Sequence, residues 1–126
     1  FATLDIMRLE LNGGTAQFLK SGAAQSFLFR DGGLKAIGGQ AFPAGILAEC
    51  TPDVSELKLF DGDVLLMTSD GVEDATAREI LRCNGMNAQE IVTALGAKAL
   101  AQRTGGRRDD ITIIAAKIFL RDENEK

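Results

Sequence analysis

The chain has 126 residues, 45% hydrophobic and 25% charged, with a formal net charge of −4 and no His, Tyr or Trp. That length suits one domain able to bury about two-thirds of the surface its unfolded chain exposes. The acidic balance and the want of Tyr and Trp argue against a nucleic-acid binder, and there is neither a signal-peptide pattern nor an apolar run near the ~20 residues that cross a bilayer.

Residues 1–11 read as a long strand, Asn12-Gly13-Gly14 as a turn, and residues 15–21 as the second arm of a hairpin. Gly22-Ala23-Ala24 interrupts the pattern. Residues 26–30, the turn Asp31-Gly32-Gly33 and residues 34–37 make another hairpin, so this first part predicts an antiparallel meander. Gly38, Gly39, Pro43 and Gly45 mark residues 38–46 as a loop crossing a surface. Residues 55–60 alternate polar and apolar, as a half-buried strand does, and Asp61-Gly62 turns the chain into four consecutive apolar residues, 64–67. That run reads as a strand buried on both faces, and the two strands are expected to pair as a hairpin. Then the period changes. Ala77, Ile80 and Leu81 give a helix over 75–82, ended by Asn84-Gly85. Asn87 is a suitable N-cap for a second helix with Ile91, Val92, Leu95, Ala99 and Leu100 on one face, which is core spacing. Gly105-Gly106 stops it, residues 107–110 form a charged loop, residues 111–120 another buried strand, and residues 121–126 a solvated tail.

Asp70-Gly71 leaves the buried strand, so it presents a carboxylate at the rim of a sheet, where a ligand can reach it. The same pair also reads as a turn whose Asp caps a helix starting near Val72, and this stretch alone does not separate the two. Asp109 and Asp110 stand just before the last strand. If the two buried strands run antiparallel in one sheet, exit and entry share an edge and the carboxylates converge. Converging acids repel, and a cation resolves the repulsion; oxygen-only ligation points to magnesium or manganese. The plainer alternative pairs Asp109 and Asp110 with Arg107 and Arg108 as turn residues. Without His there is no Ser-His or Cys-His nucleophile pair, so hydrolysis would rest on carboxylates and hard cations. Cys50 and Cys83 form no CxxC and read as two reduced thiols, and no GxxxxGK[ST] spacing supports nucleotide binding.

The segment Gly62-Asp63-Val64-Leu65-Leu66-Met67-Thr68-Ser69-Asp70-Gly71-Val72, followed by Asp109-Asp110-Ile111-Thr112-Ile113-Ile114, resembles the two C-terminal motifs of the metal-dependent (type 2C) serine/threonine protein phosphatases. Phe1-Ala2-Thr3-Leu4-Asp5, Gly22-Ala23-Ala24 and Pro43-Ala44-Gly45-Ile46 narrow the resemblance to the bacterial branch typified by the stage II sporulation protein E phosphatase domain. The resemblance implies an α+β fold, an antiparallel β-sandwich flanked by helices in α-β-β-α layers. It also implies a binuclear manganese or magnesium centre in the complete domain, with Asp70 and Asp109 as metal ligands and so as catalytic residues. Asp110 would be a neighbour, and Asp5 reads as structural or substrate-side. Metal-activated water would then hydrolyse phosphoserine or phosphothreonine on a regulatory protein, such as an anti-sigma factor antagonist.

One departure from the pattern matters. The family also uses an upstream Asp-Gly whose aspartate bridges the metals, and Asp31-Gly32 stands at the wrong place in the order, as a hairpin turn. Residues 1–126 are therefore expected to be the C-terminal portion of a phosphatase domain, poorly active alone. Rival readings are a non-catalytic phosphatase-like module that binds a regulatory protein through residues 38–46 or the helices, and a purely structural α/β domain indifferent to divalent cations. The expected setting is cytoplasmic, with a membrane-attached parent and a homodimer as open alternatives.

Overall fold

A strand with four apolar residues in a row needs cover on both faces, and the architecture supplies it from two directions. The computed structural model describes residues 3–38, 53–102 and 110–121. Within them the strands are β1 (Leu4–Glu10), β2 (Thr15–Ser21), β3 (Ser26–Arg30), β4 (Gly33–Ile37), β5 (Asp53–Lys58), β6 (Val64–Thr68) and β7 (Ile113–Lys117). They form two antiparallel sheets, one ordered β1-β2-β5 and the other β4-β3-β6-β7. Because successive side chains on a strand point to opposite faces, Leu65 enters the layer between the sheets with Ala16, Phe18, Leu28, Ile37 and Leu59. Val64 and Leu66 enter the other layer, with Phe27, Phe29, Ile80, Ile91 and Leu95. Val64, Leu65 and Leu66 thus meet the double burial expected for residues 64–67, while Met67 is only half-buried, and helices are described on one side of the sandwich.

Those helices are α1 (Asp74–Ala77), continued by a 3₁₀ turn (Arg78–Arg82), and α2 (Ala88–Ala101). A 3₁₀ turn repeats every three residues, so Ala77, Ile80 and Cys83 line up inward while Leu81, read at helical spacing with Ala77 and Ile80, stays 43% exposed. The single helix expected over 75–82 is therefore a short α turn and a 3₁₀ turn. Burial, aided by the charge of Glu79, pushes the Cys83 thiol pKa up, which keeps it protonated as a core residue. For α2 the expectation holds at its start. The Asn87 side chain accepts from the Glu90 N–H at 2.8 Å, and the Glu90 carboxylate accepts from the Asn87 N–H at 3.0 Å, a reciprocal capping box. Ile91, Leu95 and Ala99 are buried, but Leu100 faces outward.

Two topological expectations are corrected. The first four strands are two hairpins placed in different sheets, not one meander, because the chain crosses between sheets after β2. Likewise β5 and β6 do not pair: β5 lies against β2, and β6 lies between β3 and β7. The half-exposed alternation of β5 suits a sheet edge, whereas β6 needs a neighbour on each side. The turn between them is a corner. Leu59 plunges into the inter-sheet core, and Asp63, 1% exposed, receives Nε and Nη2 of Arg30, each at 2.7 Å, and the Phe60 N–H at 2.8 Å. That hydrogen-bonded carboxylate raises the Arg30 pKa further above its usual value, and the guanidinium also covers the Phe60 ring at 4.6 Å.

Removing Asp63 leaves the Phe60 N–H without its acceptor and Arg30, 34% exposed, without its acid, at a cost of about 1–3 kcal/mol. Asp63→Ala is therefore expected to lower stability by about that amount in urea unfolding. A loss of under about 1 kcal/mol would show that the corner does not depend on this pair.

Candidate functional site

The register Thr68↔Ile113 brings the exit of β6 beside the entry of β7. Ser69 laces the two ends together: its N–H donates to the Thr112 carbonyl at 3.0 Å, and its Oγ accepts from the Thr112 N–H at 2.9 Å and donates to the Asp110 carbonyl at 3.3 Å. Asp70 follows directly and is exposed. Among the described residues its carboxylate accepts no hydrogen bond, and the next helix starts at Asp74, where the Glu73 carbonyl takes the N–H groups of Thr76 and Ala77. The helix-capping alternative for Asp70 is thus not realised. Asp109 lies outside the described residues; the antiparallel register of β6 and β7 is as expected, and its chain neighbour Asp110 is described.

Two concave surfaces flank this edge. One, of about 310 Å³, is lined by Asp5, Ala24, Ser69, Asp70 and Thr112, with apolar Met67 and Ile114 in its wall. The other, of about 630 Å³, runs along α2 and holds Asp110, Gly96 and Leu100. Thr112 borders both, so Asp70 and Asp110 open on opposite sides of the strand entry. That separation suits Asp110 as a neighbour of the site.

Sequence reasoning left Asp5 between a structural and a substrate-side role and passed over Lys20. The structure joins them. Asp5 and Lys20 are directly opposed on β1 and β2, and the Lys20 Nζ donates to Asp5 Oδ1 at 2.7 Å and to the Ala24 carbonyl at 2.9 Å. The signal was present in the alternation of β2: Ala16, Phe18 and Lys20 share the inward face, and an inward lysine needs an acid.

The donors at the β6–β7 edge are carboxylate and hydroxyl oxygens, which fit a hard cation such as magnesium or manganese. Among the described residues no group of three or more His, Cys, Asp or Glu is close enough to hold a metal. Asp70 is an exposed carboxylate of this edge that opens on the smaller concavity.

The comparisons agree with this geometry. Stage II sporulation protein E of Bacillus subtilis (strain 168) is 27% identical over 128 aligned residues, covering 94% of this chain and 16% of that protein. The phosphatase domain of the cell fate determinant SpoIIE from Bacillus subtilis, solved after presoaking with Mn, superposes with a TM-score of 0.78 at 27% identity, over 96% of this chain and 58% of that domain. The catalytic domain of the serine/threonine protein phosphatase PstP, solved in complex with two manganese ions, shares the fold with a TM-score of 0.70 at 21% identity, over 93% of this chain and 58% of that one. The chain thus spans a little over half of the solved domains that it matches. Residues 1–119 match the Stage II sporulation protein E (SpoIIE) family, and the chain belongs to that family.

Proposed function

We propose that this chain forms the C-terminal portion of a type 2C phosphatase domain that hydrolyses phosphoserine or phosphothreonine on a protein, with Asp70 and Asp109 as metal ligands. The observation that carries the reading is the state of Asp70. It stands at the mouth of a cleft, on a strand end laced by Ser69, with no hydrogen bond among the described residues to occupy it. An acid held in place and left unpartnered is suited to a ligand. Membership of the SpoIIE family supports the same chemistry.

A manganese or magnesium ion held there would lower the pKa of a coordinated water and neutralise phosphoryl oxygens. The residues of this chain do the rest. Ser69 ties β6 to β7 so that Asp70 keeps its place. The protein substrate as an anti-sigma factor antagonist, and the cytoplasmic setting, rest on the resemblance alone. No helix among the described residues is long and apolar enough to cross a membrane.

Two measurements on the full-length protein test the reading. With manganese and a phosphoserine peptide, Asp70→Ala should lower kcat/KM by on the order of a hundred-fold or more, since removing one member of a unit that acts together removes most of its effect. Retention of more than a tenth of the activity would rule Asp70 out as a ligand. Manganese should also raise the melting temperature, with a stabilisation of about 2.7 kcal/mol when the ion is at ~100 times its Kd. Asp70→Ala should abolish most of that shift. A binding-only module would instead hold the phosphoprotein without any manganese-dependent hydrolysis, and a purely structural domain would show neither response.

A further inference from the structure

The cleft that holds Asp70 has a second acid in its wall, and that acid is anchored from below. Lys20 is 1% exposed, on the inward face of β2, and its ammonium reaches Asp5 Oδ1 and the Ala24 carbonyl. Its stem is enclosed as well. Gly38 sits at φ +71°, and a Cβ built there would lie 2.4 Å from Lys20 Cδ, so only glycine leaves room for the lysine. The Ala24 carbonyl in the crossover after β2 therefore holds the ammonium, while Gly38, just after β4, crowds the stem on the side of Asp53, which stands opposite Lys20 on β5. The ammonium in turn ties one oxygen of Asp5, whose side chain remains 24% exposed in the cleft.

Three kinds of partner could meet such a carboxylate, and chemistry removes two. A metal ion would have to share Asp5 with an ammonium already 2.7 Å away, and two cations on one carboxylate repel. A phosphoryl group is itself an anion and gains nothing from a carboxylate. What remains is a hydrogen-bond donor. The rest of the cleft lining is hydroxyl and apolar, Asp5 and Asp70 being its charged members among the described residues. Because Lys20 balances Asp5, the acid adds an acceptor to the cleft without adding net charge that would repel a phosphate.

Resting on the phosphatase reading above, we propose that Asp5, anchored by Lys20, is a substrate-positioning residue: it accepts a main-chain N–H of the phosphoprotein segment beside the phosphorylated residue, while Asp70 serves the phosphoryl end. This gives the cleft a preference for phosphopeptides over small aryl phosphates, which have no N–H to offer.

The test uses the full-length protein with manganese, a phosphoserine peptide and p-nitrophenyl phosphate. The double variant Asp5→Ala/Lys20→Met removes both buried charges together, which is far better tolerated than removing one. It should melt close to the wild type and raise KM for the peptide by roughly ten-fold, the worth of one charge-assisted hydrogen bond, with kcat within about two-fold. KM for the aryl phosphate should rise by less than about three-fold, an effect well under one such bond. Asp5→Asn/Lys20→Met, which keeps an acceptor oxygen but neither its charge nor its anchor, should recover part of the peptide KM, to roughly three- to five-fold above the wild type. A peptide KM within two-fold of wild type in the Ala/Met variant, or equal losses on both substrates, would reduce Asp5 to a counter-ion for Lys20 and overturn the proposal. Peptides N-methylated on either side of the phosphoserine give a second reading on the unaltered protein, whatever the variants do. One of them should show the same ten-fold rise in KM, and unchanged KM for both overturns the assignment. If the wild type hydrolyses neither substrate, the phosphatase reading itself fails, and the proposal falls with it.

Discussion

Leu65 points into the space between the sheets while Val64 and Leu66 point under the helices, so β6 must lie inside the protein with a neighbour on each edge and a layer on each face. Most other features answer to that requirement. β3 and β7 supply the edges, the three-stranded sheet supplies one face, and Ile80, Ile91 and Leu95 supply the other. A strand so enclosed cannot shift register without turning apolar side chains out of both layers. Whatever leaves its end is held with the rigidity of the core, and Asp70 is what leaves it.

The other end of β6 shows what an enclosed strand demands of its entry. Asp63 is buried where the chain turns from one sheet to the other, and a buried carboxylate is tolerable only with full hydrogen bonding. Arg30 and the Phe60 N–H provide it, and the carbonyl of Asp63 takes the N–H of Ile118 beyond β7. Leu120 donates its N–H to Asp61 at the same corner. The polar closure there is complete and internal, whereas at the exit Ser69 joins backbone to backbone and leaves the carboxylate of Asp70 unspent.

Much of this was legible in the sequence, and where it was not, the missing information was of one kind. Periodicity places the strand segments and α2, and Asn87 with Glu90 makes the cap, because these depend on residues close together in the chain; the buried strand expected over 111–120 is instead β7 alone, half-buried at a sheet edge, with Phe119 and Leu120 exposed beyond it. Which strand lies beside which does not. Asp61-Gly62 looks like the tip of a hairpin, yet its strands belong to different sheets, a matter settled by Leu59 and Asp63 reaching partners on β3 and in the core. The same holds for Lys20. Its inward position was readable from Ala16 and Phe18, but its link to Asp5 required the pairing of β1 with β2. The expected antiparallel arrangement is the one β6 and β7 adopt, but Asp70 and Asp110 open on different concavities, and Asp109 lies outside the described residues.

The sequence contains Asp-Gly three times, at 31–32, 61–62 and 70–71, and local chemistry alone makes all three equally good turns. Position in the fold separates them. Asp31 and Gly32 both take positive φ, 51° and 77°, as a two-residue hairpin turn of the mirror-image type requires. Gly62 takes φ 86°, and Asp61 spends its carboxylate on the Leu120 N–H. Gly71 is not among the positive-φ glycines, and Asp70 has no internal hydrogen bond among the described residues. The first two pairs are consumed in making the backbone turn. The third also sits at the centre of a turn, closed by the Ser69 carbonyl accepting from the Val72 N–H, but it stands at the exit of the enclosed strand β6. In the proposed site the exposed acid at the end of the enclosed strand serves the metal, and Asp5 differs from it in having one oxygen already tied to Lys20, which suits it to guide a substrate.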